Sequence, residues 1–184
     1  TSCEGTQRDQ VGEAFNDDSL FEWIFNVDVV TEGVATTKGT VSVRQNCTPN
    51  ADCAVNALLV DLDATAITCA ALNTLGTNAT GLYYVTDAGG CTFSSQIGSA
   101  TQSVIVVVEE DVDLRDNFFG LLFVRSKNNT ADVHATGNNK IFGSMAVEGD
   151  INITGTVDIV YDDVSASADP TKFPKNAKFA RVPG

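Results

Sequence analysis

After residue 100 the chain repeats itself, and this restricts the folds open to it more than any bulk property. Ser103–Asn117 reads as an aliphatic strand, a turn, then Asp111 and a short alternating strand closed by Asn117. Gly120–Val124 followed by Asp132–Asn138 has the same plan, as does Gly143–Val147 followed by Asp150–Gly155. The leading aspartates Asp111, Asp132 and Asp150 are 21 and 18 residues apart, and Phe119-Gly120 recurs as Phe142-Gly143. Ile97-Gly98 is a candidate opening of an earlier copy, and the polar insert 126–130 accounts for much of the difference in repeat length. A repeat of about 20 residues with two strands per turn suits a parallel β-solenoid, in which no coil buries its inward face alone. Glycine and asparagine at the corners supply the left-handed backbone that sharp bends need. An antiparallel meander also places strands at this spacing, but it gives no reason for nearly identical corner sequences.

The first half is less regular. Gln7 to Phe25 sets Val11, Ala14, Phe15, Leu20, Phe21, Ile24 and Phe25 at mostly helical spacing, with Asp17-Asp18-Ser19 as a candidate cap. Asn26–Val30 and Thr40–Arg44 alternate and are rich in β-branched residues, which predicts a hairpin. Residues 54–60 and 65–72 fit helix or strand equally, whereas Gly81–Val85 reads as a strand and Thr86–Gly90 as its turn. Thr156–Asp162 supplies one last strand, after which three prolines and Lys172, Lys175, Lys178 and Arg181 form a basic tail suited to capping a solenoid end. The expectation is a mainly β protein with a short N-terminal helical segment and a C-terminal short parallel β-solenoid. Its parts are an α+β region with disulfides over 1-96, solenoid rungs over 97-162, and a basic tail over 163-184.

The five cysteines, Cys3, Cys47, Cys53, Cys69 and Cys91, are spaced 44, 6, 16 and 22 residues apart. Zinc sites favour short Cys-x-x-Cys pairs with nearby histidines, and the only histidine, His134, is remote in sequence. Disulfides formed in an oxidising compartment are the better reading. The polar turn from Cys47 to Cys53 can close on itself, leaving Cys69 and Cys91 as a second bridge, but four cysteines allow three connectivities. Cys3 is then free, or its partner lies in a removed segment.

With 24 acidic against 11 basic residues, the net charge of −13 repels phosphate backbones and argues against a nucleic-acid partner. The longest apolar run, Val104–Val108, is too short to span a bilayer. Thr1 is no initiator methionine and the chain stops at Pro183-Gly184 with no natural-looking ending, so both ends read as cut; a removed N-terminal signal or anchor is compatible with this, and its absence here means little. Catalytic motifs are missing: no nucleophile elbow, zinc-protease helix or phosphate loop occurs. His134 occupies the slot held by Asp113 and Asn152 in the sister repeats, which predicts a solvent-facing side chain. The carboxylate clusters Asp17-Asp18, Glu109-Glu110-Asp111 and Asp162-Asp163 read as solvated faces. Asp61-Leu62-Asp63 lacks the glycine and glutamate of a calcium loop. No catalytic, metal or cofactor residue is assigned. Asn46, Asn78, Asn128 and Asn152 begin Asn-x-Ser/Thr sequons.

Several short motifs carry a family resemblance. Leu20–Phe25, Cys69, Gly81–Val85 before Gly90-Cys91, and Ile97-Gly98-Ser99 leading to Val104–Val108 resemble the soluble region of PilX-type minor pilins. So do Ile141–Asp150, Gly155, Ile159–Asp162 and Phe179–Gly184, so that the likeness covers roughly residues 20–184. The family's hydrophobic N-terminal anchor helix and its usual Ser-Trp-Arg ending are not in this sequence. The resemblance implies a non-enzymatic subunit of bacterial type IV pili, anchored in the inner membrane, oxidised in the periplasm and incorporated in an extracellular pilus. There it takes part in priming assembly and in the tip complex, with other minor pilins and a tip adhesin as partners. The membrane enters only through the missing anchor helix. The alternative is a secreted solenoid that binds or cleaves carbohydrate, with Trp23, Tyr83 and Tyr84 as stacking platforms.

Overall fold

A computed structural model of the chain describes Phe21, residues 24–25, 53–126, 131–155 and 158–160. Leu58–Asn176 form one compact unit, and Thr1–Ala57 with Ala177–Gly184 form another. In the latter unit Phe21, Ile24 and Phe25 are helical and buried, with the two phenylalanine rings 4.7 Å apart. The rest of the expected N-terminal helix, the hairpin over 26–44, the insert residues 127–130 and the tail 163-184 lie outside the described residues.

The larger unit is mainly β. Its strands are β1 (Thr65–Ile67), β2 (Gly81–Val85), β3 (Cys91–Phe93), β4 (Val104–Glu109), β5 (Val112–Leu114), β6 (Phe118–Arg125), β7 (Ala131–Gly137), β8 (Lys140–Val147), β9 (Gly149–Gly155) and β10 (Asp158–Val160). From β2 onward the chain alternates between two sheets, ordered β1-β2-β4-β6-β8-β10 and β3-β5-β7-β9. All of these pairings are parallel. Parallel neighbours need a crossover to return the chain to the same end; here the strand of the opposite sheet supplies it for every pair after β1–β2, where a helix stands instead. The parallel pairing therefore reaches back before residue 97, to Thr65.

One core lies between the sheets. Val85, Val104, Val106, Val108, Leu122 and Val124 meet Cys91, Phe93, Val112, Leu114, Val133 and Ala135 in a single buried cluster. The Phe93 and Phe118 rings stack across it at 5.8 Å. Alternation is clean in the four-stranded sheet, whose Val112, Leu114, Val133 and Ala135 are buried while His134 is exposed. It vanishes in β4 and β6, because Ile105, Val107, Leu121 and Phe123, on the opposite face, are buried too. A parallel sheet covered on both faces reads as an unbroken apolar run, which is what Val104–Val108 is.

The register repeats the internal likeness of the sequence. Asp132 pairs with Asp150, and Val133 with both Val112 and Ile151. Phe119-Gly120 lies on Phe142-Gly143, with the two phenylalanine rings stacked at 4.3 Å. Two alignments shift by one residue: Val104 rather than Ser103 pairs with Gly120, and Ile97 bridges Phe118, which puts Gly98 level with Phe119. Strand spacing at Gly120 leaves no room for a side chain, since a Cβ there would lie 1.8 Å from the Val104 carbonyl oxygen.

The segments that the sequence left open are helical in part. Residues 53–61 form a helical turn that widens over Ala57–Asp61. After β1 comes α1 (Cys69–Leu75), which starts where the Thr68 hydroxyl accepts the Ala71 N–H and stops at Gly76, whose N–H returns to the Leu72 carbonyl.

Candidate docking surfaces

The two ends of the four-stranded sheet are treated differently. At the first end β3 has no strand on its free side among the described residues. In chain order α1 stands where that strand would be, between β1 and β2. The Asn73 side chain serves the exposed strand edge: its Nδ2 donates to the Thr92 carbonyl at 2.9 Å and its Oδ1 accepts the Ser94 N–H at 2.9 Å and the Ser95 N–H at 3.3 Å. Leu72 points into the core, and a disulfide joins Cys69 on α1 to Cys91 on β3. The start of the helix is held by Asp87, whose carboxylate accepts the Cys69 N–H at 2.7 Å. Covering an edge with a helix is one of the ways proteins prevent unwanted strand pairing.

The last edge has no such cover among the described residues. β9 and β10 are the final strands of their sheets. Ile151 continues the column of Val112 and Val133, and Ile159 continues that of Phe118 and Ile141. Those four earlier residues are at most 2% exposed, whereas Ile151 is 49% and Ile159 53% exposed. Two aliphatic side chains from inward columns are thus half exposed. Asp150 and Asp158, both exposed, flank them, and Lys140 Nζ lies 3.6 Å from Asp158 Oδ2.

The outward face of the four-stranded sheet is polar. Thr92, Asp113, His134 and Asn152 stand in one ladder, as the sister-repeat comparison anticipates. Arg115 Nε donates to Asp113 Oδ2 at 2.7 Å, and this hydrogen bond, with the charge attraction behind it, holds the guanidinium above its ordinary pKa. His134 is exposed, with Nε2 4.0 Å from Asp132 Oδ2. At the two corners flanking β5, Asp111 Oδ1 accepts the Asp132 N–H at 2.9 Å, and Asn117 Oδ1 accepts the Lys140 N–H at 2.9 Å. These carboxylate and amide groups thus tie one repeat to the next. Among the described residues no group of three or more His, Cys, Asp or Glu side chains is placed to hold a metal ion. No described helix is long and apolar enough to cross a membrane.

The remaining residues singled out from the sequence are dispersed. The Cys69–Cys91 pair is a disulfide, while Cys47 and the Cys53 side chain lie outside the described residues, and with them the other proposed bridge. Tyr84 is 9% exposed, and Tyr83 packs against the core between the sheets; Trp23 lies outside the described residues. Asp61 and Asp63 are exposed on either side of buried Leu62. The sequon residue Asn78 is exposed at the end of a short turn, and Asn152 is exposed on β9. Glu109 points back into the molecule, where its carboxylate pairs with buried Arg125 at 2.9 Å across the β4–β6 register. Neither that pair nor the edge-capping role of Asn73 was visible in the sequence, because both depend on which strands become neighbours. Comparison with protein-family models, with curated proteins and with solved structures returns no match.

Proposed function

We propose that the two alternating sheets form a short β-solenoid, and that the chain is the soluble region of a PilX-type minor pilin. In this reading it is a non-enzymatic subunit that docks with other minor pilins and a tip adhesin, primes type IV pilus assembly and is carried into the tip complex. The observation that carries the reading is the position of the motif Ile141–Asp150, one of the segments that resembles the family. It forms β8 and the start of β9, with Gly143 stacked on Gly120 and Asp150 on Asp132. Its glycines are thus spent on close stacking rather than on a catalytic loop. The Cys69–Cys91 disulfide suits oxidation in the periplasm. The acidic, rigid body offers docking surface, and a prepilin-type anchor ahead of Thr1 would tether it to the inner membrane until assembly.

The carbohydrate reading is weaker, because burial of Tyr84 removes one of its three proposed stacking platforms. The test is genetic and biochemical together. Deleting the gene should reduce surface piliation, and affinity-tagged protein should copurify with other minor pilins. Unchanged piliation together with no copurifying pilin overturns the proposal.

A further inference from the structure

The open end of the solenoid carries the furthest inference, and it rests on the docking reading above. One end is closed by α1, with Asn73 occupying the hydrogen-bonding edge of β3. At the other end the β9 and β10 edges are left without a strand partner among the described residues, and Ile151 and Ile159 are half exposed. Such an edge is a template for an added strand, with main-chain bonds supplying affinity and alternate side chains supplying specificity. The geometry points to an extended segment of another protein as the occupant, one that joins β9 as the next strand and alternates aliphatic residues with lysine or arginine.

The columns set that chemistry. A strand added in the register of β7 and β9 places one side chain over Asp150 and the next over Ile151. The first position favours a cation, because Asp132 and Asp150 already stack there. The second must be aliphatic to continue the Val112–Val133–Ile151 column. A second copy of this chain fits less well: it would bring another Asp150 to the same acidic edge, and the whole chain carries a net charge of −13.

The probe is the β7 sequence itself, Ala131 to Gly137, made as two peptides: one native and one with Asp132→Lys. Binding to the full chain is followed by NMR, with hydrogen exchange of the β9 and β10 amides as a second readout. The lysine peptide should bind roughly fivefold tighter than the native one at low salt, and that preference should fade as salt is added. It should also slow exchange along β9. Asp150→Asn, an exposed change that leaves the core intact, should abolish the preference for lysine, and Ile151→Lys should abolish binding of both peptides. The proposal is overturned if neither peptide binds or if both bind equally. It is equally overturned if β9 amides in the free chain are already protected, by residues 161–184 or by a dimer seen in sedimentation. Loss of piliation with no peptide binding would keep the pilin reading and remove this one; peptide binding with unchanged piliation and no copurifying pilin would do the reverse.

Discussion

A Cβ on Gly120 would sit 1.8 Å from the Val104 carbonyl oxygen, and one on Gly143 would sit 2.1 Å from the Gly120 oxygen. Both glycines also adopt positive φ, 137° and 134°. Gly81 separates the two requirements: its φ is 96°, but nothing lies within 4 Å of the position a Cβ would take. Gly81→Ala should therefore cost only backbone strain, about 1–3 kcal/mol. Gly120→Ala must also push two strands apart, and should cost more than about 4 kcal/mol or prevent folding. Urea unfolding of the two variants measures the difference, and equal losses would mean that close stacking does not restrict position 120. A related contrast concerns arginine. Arg125, buried against Glu109, is tied to the body, whereas the exposed Arg115–Asp113 pair is screened by water.

At the scale of elements, α1 and the strand it covers are linked by Cys69–Cys91, which closes a loop of sequence separation 22. Replacing both cysteines by serine should lower stability by about 3 kcal/mol, mainly by freeing the unfolded chain. The loss should be read by denaturant unfolding against the oxidised parent, and a loss below about 1 kcal/mol would indicate that Asn73 and Leu72 hold the helix without the covalent link. The elements differ in how plainly the sequence announced them. Gly81–Val85 and the Asp-led strands were legible because aliphatic runs, alternation and corner residues recur there. The cap was not: Cys69–Leu75 is a short apolar stretch that fits either structure, and its Thr68 start and Gly76 stop are single-residue signals. The alignment placed Gly143 on Gly120 and Asp150 on Asp132 but missed the Val104–Gly120 pairing by one residue. In β4 both faces are buried, so side-chain pattern does not distinguish one register from the next. The half-exposure of Ile151 and Ile159 was not legible, because it depends on which strands are the last in their sheets, and the sequence pointed instead to a basic tail covering that end.

For the whole molecule, charge is the property that conditions stability. A net charge of −13 on one small chain opposes compactness by self-repulsion. Raising sodium chloride from about 10 mM to about 500 mM shortens the screening length severalfold. The thermal midpoint should then rise by about 2–4 °C, equivalent to roughly 1 kcal/mol. A fall instead would show that attractive pairs nearer the surface, such as Arg115–Asp113, outweigh the repulsion. The register has a separate consequence for how such a chain can change over generations. Within its sheet each strand pairs only with its immediate neighbours, and Gly120 recurs as Gly143 in the same setting. A tandem duplication of residues 120–142 would therefore add one strand to each sheet and leave the α1-covered edge and the β9 edge as they were. The larger unit could thus widen both of its sheets by copying one gene segment, without redesigning the strands at either edge.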